Sequence, residues 1–565
     1  MAKKQKLKII PLGGMNEIGK NLTVFEYGDE IVVLDCGMTF PDEEMLGVDL
    51  VIPDMSYLVN NKDKIRAVLL THGHEDHIGG LPYFLRQMSN VPIYGSRMTL
   101  GLVEHKLKEH GILSIAKLNC VKAGDSVKVG KNFKAEFIRV NHSIADSFGI
   151  ALFTPAGTIV HTGDFKIDTT PIDGGMIDLA RFGTLGDSGV LALMSDSTNV
   201  ERKGYTMSER TVGEKFDEIF AFHHKERIIV ATFASNVHRV QQIINAAIKT
   251  KRKVAVSGRS MINVVDVAIE NGYMKVPKGL LIGIEEIHKY KNSQLVIITT
   301  GSQGEPMSAL TRMAFSDHKQ VEIGKGDLVI ISASPIPGNE KTISKVINEL
   351  FKKGAEVIYK ALAEVHVSGH ACQEELKIIY GLVRPKFFIP AHGEYRHLAT
   401  SANLAVQSGV NPKNTFLLNI GDVLELNKEG AAVTGTVPAG AVLIDGYGVG
   451  DVGNVVLRDR KHLAEDGIIV VVFSINGKSG KIVSGPEVVS RGFVYVKESE
   501  ALIEGIKQVA VHATEEAVKK NRKPGVDWVA IKNAVKNQIS DFLQESTKRR
   551  PMILPIIMEA GKENK

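Results

Sequence analysis

At 565 residues, with 44% hydrophobic and 24% charged side chains, the chain carries enough apolar material for several cores, because single cores rarely grow past about 250 to 300 residues. The formal charge of +5 permits a nucleic-acid partner without demanding one, and no apolar run approaches the roughly 20 residues of a membrane span. Three scattered cysteines, Cys36, Cys120 and Cys372, exclude a disulfide scaffold and match no zinc-type pairing; they read as inert core thiols in a reducing cytoplasm. The basic start at residues 1–6 is followed by a short apolar run without a small-residue cleavage site, so no secretory leader is expected there. Basic clusters at 519–523 and 548–550 read as solvated faces in preference to phosphate contacts.

From residue 7 to about 200, short β-branched runs alternate with Gly and Asp turns, which predicts strands at 7–10, 21–25, 31–35, 67–70, 134–140, 158–162 and 190–194. Helical periodicity interrupts them after Pro82 and after Met98. Strands mixed with helices and with loops rich in His and Asp point to an αββα sandwich whose chemistry sits on loops at one sheet edge.

The strand at 67–70 leads into Thr71-His72-Gly73-His74-Glu75-Asp76-His77. Imidazole and carboxylate suit zinc or manganese, and the i, i+2, i+4, i+5 spacing of His72, His74, Asp76 and His77 is not helical. A tight loop leaving a strand can aim His72 and His74 at one ion and Asp76 and His77 at a neighbour, with Gly73 supplying backbone freedom and Gly79-Gly80-Leu81-Pro82 opening a helix. The competing reading is a surface loop rich in histidine. Further along, His142 and Asp164 each follow a predicted strand, where a ligand points out of the sheet edge.

From about 203 to 364 the pattern changes to regular β-α alternation, with strands at 228–232, 253–256, 295–299 and 328–332 and helices such as 237–248 and 341–353. That is a parallel sheet inserted into the first architecture. After Val365 the first style returns with a helix at 373–383 and a strand at 386–389, which delivers His392-Gly393-Glu394. A Gly-rich stretch at 440–453 reads as turns within a linker, and the remainder reads as a small α+β domain with strands at 468–474 and 493–496 and helices at 500–519 and 526–547. The expected organisation is a sandwich domain over 1–205 and 365–439, the inserted domain over 206–364, a linker over 440–465 and a terminal domain over 466–565.

Asp35, the HxHxDH run, His142, Asp164 and His392 together resemble the signature of the metallo-β-lactamase superfamily. Ser195-Asp196-Ser197-Thr198-Asn199 before the insert and Val367-Ser368-Gly369-His370 after it resemble the motifs of its β-CASP nuclease branch. Within that branch the chain is similar over its whole length to the bacterial ribonuclease J family. The marks are the runs at 12–20, 231–236, 258–260, 300–306, 334–339 and 549–555. Every ligand of the metal run is kept, as in the active type of that family.

The resemblance implies one ion held by His72, His74, His142 and Asp164, and a second held by Asp76, His77, Asp164 and His392, with Asp164 bridging. Asp35 would orient the metal loop from behind; a plain strand-end turn is its alternative. His370, paired with Asp196, would protonate the leaving 3′ oxygen, and a structural His370 is the alternative. His366, Val367, Ser368, Gly369 and His370 would contact the nucleotide, while Arg259 and Ser332-Ala333-Ser334 would help to bind phosphate. Gly47, Asp49 and Asp445 match a structural calcium position of some relatives.

The implied activity is a zinc-dependent, or manganese- or magnesium-dependent, ribonuclease acting on single-stranded RNA. It would run 5′ to 3′ from a 5′ monophosphate and also cut internally, in RNA maturation and mRNA decay. The terminal domain would support a homodimer or tetramer, with a paralogous subunit and other RNA-decay enzymes as further partners. Two other readings remain open. One is a small-ester or thioester metallohydrolase of the same superfamily, against which the long insert argues; the other is a non-catalytic RNA-binding scaffold, against which the intact ligands argue.

Overall fold

The protein is described from a computed structural model covering residues 5–560, except 173, 304, 306, 335–338, 360–362, 495–498 and 522–524. Gly304, Pro306, the Pro335 to Gly338 part of one motif, the expected strand residues 495–496, and Arg522 and Lys523 therefore lie outside the described residues. The chain divides into two compact units, Met1–Thr39 with Val51–Val442 and Phe40–Leu50 with Leu443–Lys565.

The first unit contains the expected sandwich. One sheet runs in the order Ala431–Thr436, Asp422–Leu426, Leu7–Gly13, Leu22–Tyr27, Glu30–Leu34, Ile65–Leu69, Pro92–Gly95, Lys117–Cys120. It is antiparallel up to Glu30–Leu34 and parallel beyond. The facing sheet runs Phe387–Ala391, Val190–Asp196, Gly157–His161, Phe148–Thr154, Phe133–Arg139, Ser126–Val129. Alternate residues of both sheets, among them Ile9, Phe25, Val32 and Leu69 from one and Phe137, Ile150, Ile159 and Met194 from the other, fill a single core. The outer face of the second sheet, including Ile138, Val160 and Phe388, is covered by helices Leu179–Ser188, Gln373–Val383 and Tyr395–Gln407. Helix Arg97–Glu109 lies along the parallel end of the first sheet, its first turn capped by Ser96.

The insert is the expected parallel sheet, in the order Leu281–Ile282, Lys253–Ser257, Leu295–Thr299, Arg227–Thr232, Asp327–Ser332, Glu356–Tyr359. Its central strand is apolar on both faces because helices cover both. Ile228 and Val230 pack under Glu209–Phe222, Val237–Lys249 and Arg259–Glu270; Ile229 and Ala231 pack under Ala309–Ala314 and Glu340–Lys352.

The second unit contains a sheet ordered Ile482–Arg491, Ile468–Ile475, Met552–Glu559, covered on one face by helices Glu500–Lys520 and Trp528–Thr547. Two expectations change here. Phe493 sits in a bend after strand Ile482–Arg491 instead of in a strand of its own, and its ring packs into the core. The real strands were obscured because each carries a proline, Pro486 and Pro555, which edge strands tolerate. Residues 440–465 are not a linker: they form strand Ala441–Asp445 and helix Asn454–Asp466. The glycines that suggested a linker only make the turns between these elements.

Candidate metal centre

Strands Glu30–Leu34 and Ile65–Leu69 of one sheet, and Phe133–Arg139, Gly157–His161, Val190–Asp196 and Phe387–Ala391 of the other, end at the same edge of the sandwich. Asp35, the His72–His77 run, His142, Asp164, Asp196 and His392 all lie on or just after those ends. The run differs in one respect from its expected form. Residues up to His74 make a loop, but Glu75–Ile78 close one helical turn that begins after His74. Gly73 has an ordinary φ and is needed for space instead: a Cβ there would stand 2.8 Å from Leu102. Gly163, before Asp164, is the residue that needs glycine's freedom, with φ +59° and a Cβ position 2.3 Å from the Phe148 carbonyl.

The ligand candidates form two groups that meet at Asp164. In the first, His74 Nδ1 lies 3.0 Å from His72 Nε2 and 3.1 Å from His142 Nε2. Nitrogens bound tetrahedrally to zinc at about 2.0 to 2.1 Å stand about 3.3 Å apart, so this convergence fits the donor set of a divalent cation. In the second group His77 Nε2 is 3.6 Å from Asp76 Oδ2 and 3.2 Å from Asp164 Oδ2, and His392 Nε2 is 3.2 Å from Asp76 Oδ2. Asp164 also lies 3.7 Å from His72, 3.8 Å from His142 and 3.5 Å from His392. Its carboxylate thus reaches four imidazoles, two from each group.

Three of the rings are fixed from behind. His77 Nδ1 donates to Asp35 Oδ2 at 2.8 Å, while Asp35 accepts from the Thr71 N–H and hydroxyl. His142 Nδ1 donates to the Gly369 carbonyl at 2.8 Å, and His392 Nδ1 donates to Thr198 Oγ1 at 2.8 Å. The first two bonds leave the Nε2 of His77 and His142 facing the cluster, while His392 turns Nε2 to Asp76 and keeps Nδ1 3.5 Å from Asp164.

Charge divides the two groups. Burial, reinforced for His72 by the neighbouring His77, holds His72 well below the ordinary histidine value. Burial lowers His74 to about 4 against the pull of Asp76 and Asp164. His142 is lowered by burial and by His74. Burial acts the same way on His77 and His392, but Asp164 and Asp76 overcome it; His77 is raised well above its ordinary value and His392 to about 10. Against its own burial, Asp164 is held low by His392 and His77.

His370 stands at the junction. Its ring lies 5.0 Å from that of His142 and 5.6 Å from that of His392, and its Nδ1 donates to Asp196 Oδ2 at 2.8 Å. Burial would depress it, yet Asp196 raises it overall. Its carbonyl accepts from Asn199 at 3.0 Å and from Thr206 Oγ1 at 2.6 Å, and Ser368 Oγ accepts from its N–H at 3.2 Å. Ser332 donates to the Val365 carbonyl at 2.5 Å, Ala333 is buried, and Arg259 is exposed at the start of its helix. Five residues without a role in the sequence pattern, Asn21, Thr71, Thr198, Asn199 and Thr206, brace this site. Thr71, Thr198 and Asn199 belong to the metal and flanking motifs, whereas Asn21 and Thr206 carry no local signal.

Gly47, Asp49 and Asp445 lie in the second unit. Asp445 pairs with Arg460 at 2.5 Å, Arg460 donates to the Leu46 carbonyl at 2.8 Å, and Asp49 accepts from the Gly446 N–H at 2.7 Å. A guanidinium therefore stands against the positions expected to hold calcium, and among the described residues no group of three His, Cys, Asp or Glu ligands forms there.

Comparison with known proteins decides the family. The sequence profile of the ribonuclease J β-CASP domain matches residues 225–350 and that of the ribonuclease J C-terminal domain matches 455–560. The metallo-β-lactamase superfamily matches 16–108 and a Zn-dependent metallo-hydrolase RNA specificity domain matches 354–417. Ribonuclease J of Thermus thermophilus is 46% identical, covering 98% of this chain and 95% of its own length. The chain belongs to the ribonuclease J family. Ribonuclease J2 of Bacillus subtilis is 45% identical over 98% of this chain and 99% of its own. A crystal structure of a protein of unknown function from Enterococcus faecalis V583 shares the fold at TM-score 0.53 and 18% identity, over 74% of this chain and 100% of its own. Family membership makes the chain a metallo-hydrolase nuclease, and no described helix is long and apolar enough to cross a membrane.

Proposed function

We propose that the chain is a two-metal ribonuclease that degrades single-stranded RNA 5′ to 3′ from a 5′ monophosphate and also cuts internally. The observation that carries this reading is the Asp164 carboxylate within 3.8 Å of four imidazoles belonging to two ligand groups. One ion would be held by His72, His74, His142 and Asp164, the other by Asp76, His77, Asp164 and His392, with zinc the preferred metal and manganese or magnesium the alternatives. Bound there, divalent cations would supply an activated water for attack on phosphorus and neutralisation of charge on the phosphodiester.

The chain's own residues supply the rest. Asp35, Thr198 and the Gly369 carbonyl hold His77, His392 and His142 in ligating orientation. Asp196 favours the protonated form of His370, which would deliver its Nε2 proton to the leaving 3′ oxygen, giving a 5′ phosphate and a 3′ hydroxyl. His366 to His370 would line the nucleotide, with Ser332 to Ser334 and Arg259 contributing phosphate contacts. Calcium at Gly47, Asp49 and Asp445 would require Arg460 to leave Asp445.

We place the enzyme in the cytoplasm, as a homodimer or tetramer open to a paralogous subunit and other RNA-decay enzymes. The outer face of the C-terminal sheet supports assembly: Val489, Leu554, Ile556 and Met558 are 42%, 47%, 40% and 51% exposed in one apolar row with Val470 and Val472. Light scattering of a chain truncated beyond Leu457 should show a smaller species; an unchanged size refutes that role.

The test of activity offers 5′-monophosphate, 5′-triphosphate and circular RNA to the protein loaded with each metal. Nucleotide release that is fastest from the monophosphate, with slower internal cutting of the circle, is expected. Absence of RNA cleavage, or His74→Ala and Asp164→Ala variants as fast as the parent, overturns the reading.

A further inference from the structure

Arg239 is 0% exposed, and all five of its guanidinium N–H groups are used. Two go to one carboxylate: Nε to Glu209 Oε1 at 2.8 Å and Nη2 to Glu209 Oε2 at 2.9 Å. Two more reach the segment that follows the insert, from Nη2 to the Val367 carbonyl at 3.2 Å and from Nη1 to His366 Nδ1 at 2.8 Å. The last goes from Nη1 to the Ser332 carbonyl at 2.9 Å, at the end of the strand Asp327–Ser332. Helix Val237–Lys249 presents Arg239 in its first turn, where Asn236 caps the Arg239 N–H at 3.0 Å.

Both ends of this arrangement lead back to the metal ligands. Glu209 donates its N–H to Asp168 Oδ2 at 3.1 Å, four residues after Asp164. On the other side, two residues beyond Val367, the Gly369 carbonyl accepts from His142 at 2.8 Å. The segment from His366 to Gly369 is therefore suspended between a guanidinium of the insert and an imidazole of the sandwich. A guanidinium donates only, so His366 Nδ1 must accept and the ring proton must sit on Nε2.

We infer that Arg239 is a positioning residue for RNA: clamped by Glu209, it sets the height of the His366–Gly369 segment and the tautomer of His366. The inference rests on the ribonuclease reading for its substrate, not for its geometry. Packing alone would not need it, since a buried ion pair is commonly replaced by apolar residues without loss of stability, whereas no apolar group can hold a carbonyl and an imidazole at once. The His370 N–H donates to Ser368 Oγ within the segment, but its ring and carbonyl are held from outside it by Asp196, Asn199 and Thr206, so the general acid should stay placed when Arg239 changes.

The test is Arg239→Lys, which keeps the charge opposite Glu209 and loses the fork, beside the double variant Glu209→Gln/Arg239→Gln, which leaves no buried charge unpaired. KM for single-stranded RNA should rise about tenfold, the worth of one lost charge-assisted contact, with kcat held within about threefold and metal content unchanged. A fall in kcat at unchanged KM assigns Arg239 to the acid instead, and unchanged kinetics remove its role; either result overturns the inference. Ring 15N spectra of the full chain, with His366 assigned by His366→Gln, give a readout independent of RNA. Nδ1 should be unprotonated in the parent and lose that preference in Arg239→Lys. A parent that cleaves no RNA but shows this tautomer shift defeats the ribonuclease reading and leaves the positioning intact, whereas a parent with the proton on Nδ1 defeats the positioning itself.

Discussion

The three-imidazole corner of the centre and the carboxylate-rich corner beside it use the same ligand type in opposite states of charge. In the first, His72, His74 and His142 crowd one another in a buried corner, and burial with mutual repulsion keeps them neutral. In the second, His77 and His392 face Asp76 and Asp164, and the carboxylates favour their protonated forms. A divalent ion arriving at the first corner finds its ligands ready; at the second it must displace protons. The two corners are also braced differently, His77 by the Asp35 carboxylate and His142 by the Gly369 carbonyl. The difference predicts two ions that load in sequence, although their ligands lie within a few ångströms.

Asp164 is the point at which the corners stop being independent, so its loss should have the largest effect. Asp164→Asn should lose both ions on gel filtration and depress RNA cleavage on the order of 10³-fold or more, whereas His142→Gln should lose only the first ion. A two-ion Asp164→Asn protein would show that the corners share nothing. Next in size is the proton count. With His392 raised to about 10, it carries a proton at neutral pH in the metal-free chain, and the shift of His77 runs the same way, while His74 at about 4 is neutral. Filling the second corner should then release at least the His392 proton, so its affinity should climb about tenfold or more per pH unit, with little change at the first. Zinc titrations of the parent and of His142→Gln between about pH 6 and 8 measure this. Equal slopes for both ions would erase the distinction.

The candidate ligands are legible as a set because each follows a strand end, and strands announce themselves by β-branched runs; the central strands of the insert are legible because both of their faces are apolar. What stayed hidden depends on partners distant in the chain. Glu209 and Arg239 are 30 residues apart, and nothing local marks either as half of a buried pair. The edge strands Leu281–Ile282 and Glu356–Tyr359 are short and largely half-buried, so they lack the doubled apolar pattern of their neighbours. Gly47, Asp49 and Asp445 matched a calcium pattern, but Arg460, which stands against Asp445, belongs to a helix that the glycine-rich stretch concealed.

Asp35→Asn tests the asymmetry of bracing. It should weaken the second corner by about 10- to 100-fold in metal affinity, because His77 loses its carboxylate, and should change the first far less. Comparable weakening at both corners would mean that Thr71, which touches both His72 and His77, transmits the change and that the corners are braced as one.

The smallest effect belongs to a residue that serves neither corner. Glu30 accepts from the Lys131 and Asn132 N–H groups at 2.9 and 2.8 Å and from Arg66 at 3.3 Å, tying one sheet of the sandwich to the other. Burial works against ionisation, yet these donors hold its carboxyl below the ordinary value. Its stabilisation is thus present above the unfolded value of about 4.3 and lost as pH falls through the lower folded value. Glu30→Gln should cost about 1 to 2 kcal/mol in denaturant unfolding at neutral pH, and the gap to the parent should narrow below about pH 4, with metal content unchanged. If that variant also shed metal, the scaffold and the centre would not be separable, and the contrast between the two corners would have to be sought in the sandwich that carries them.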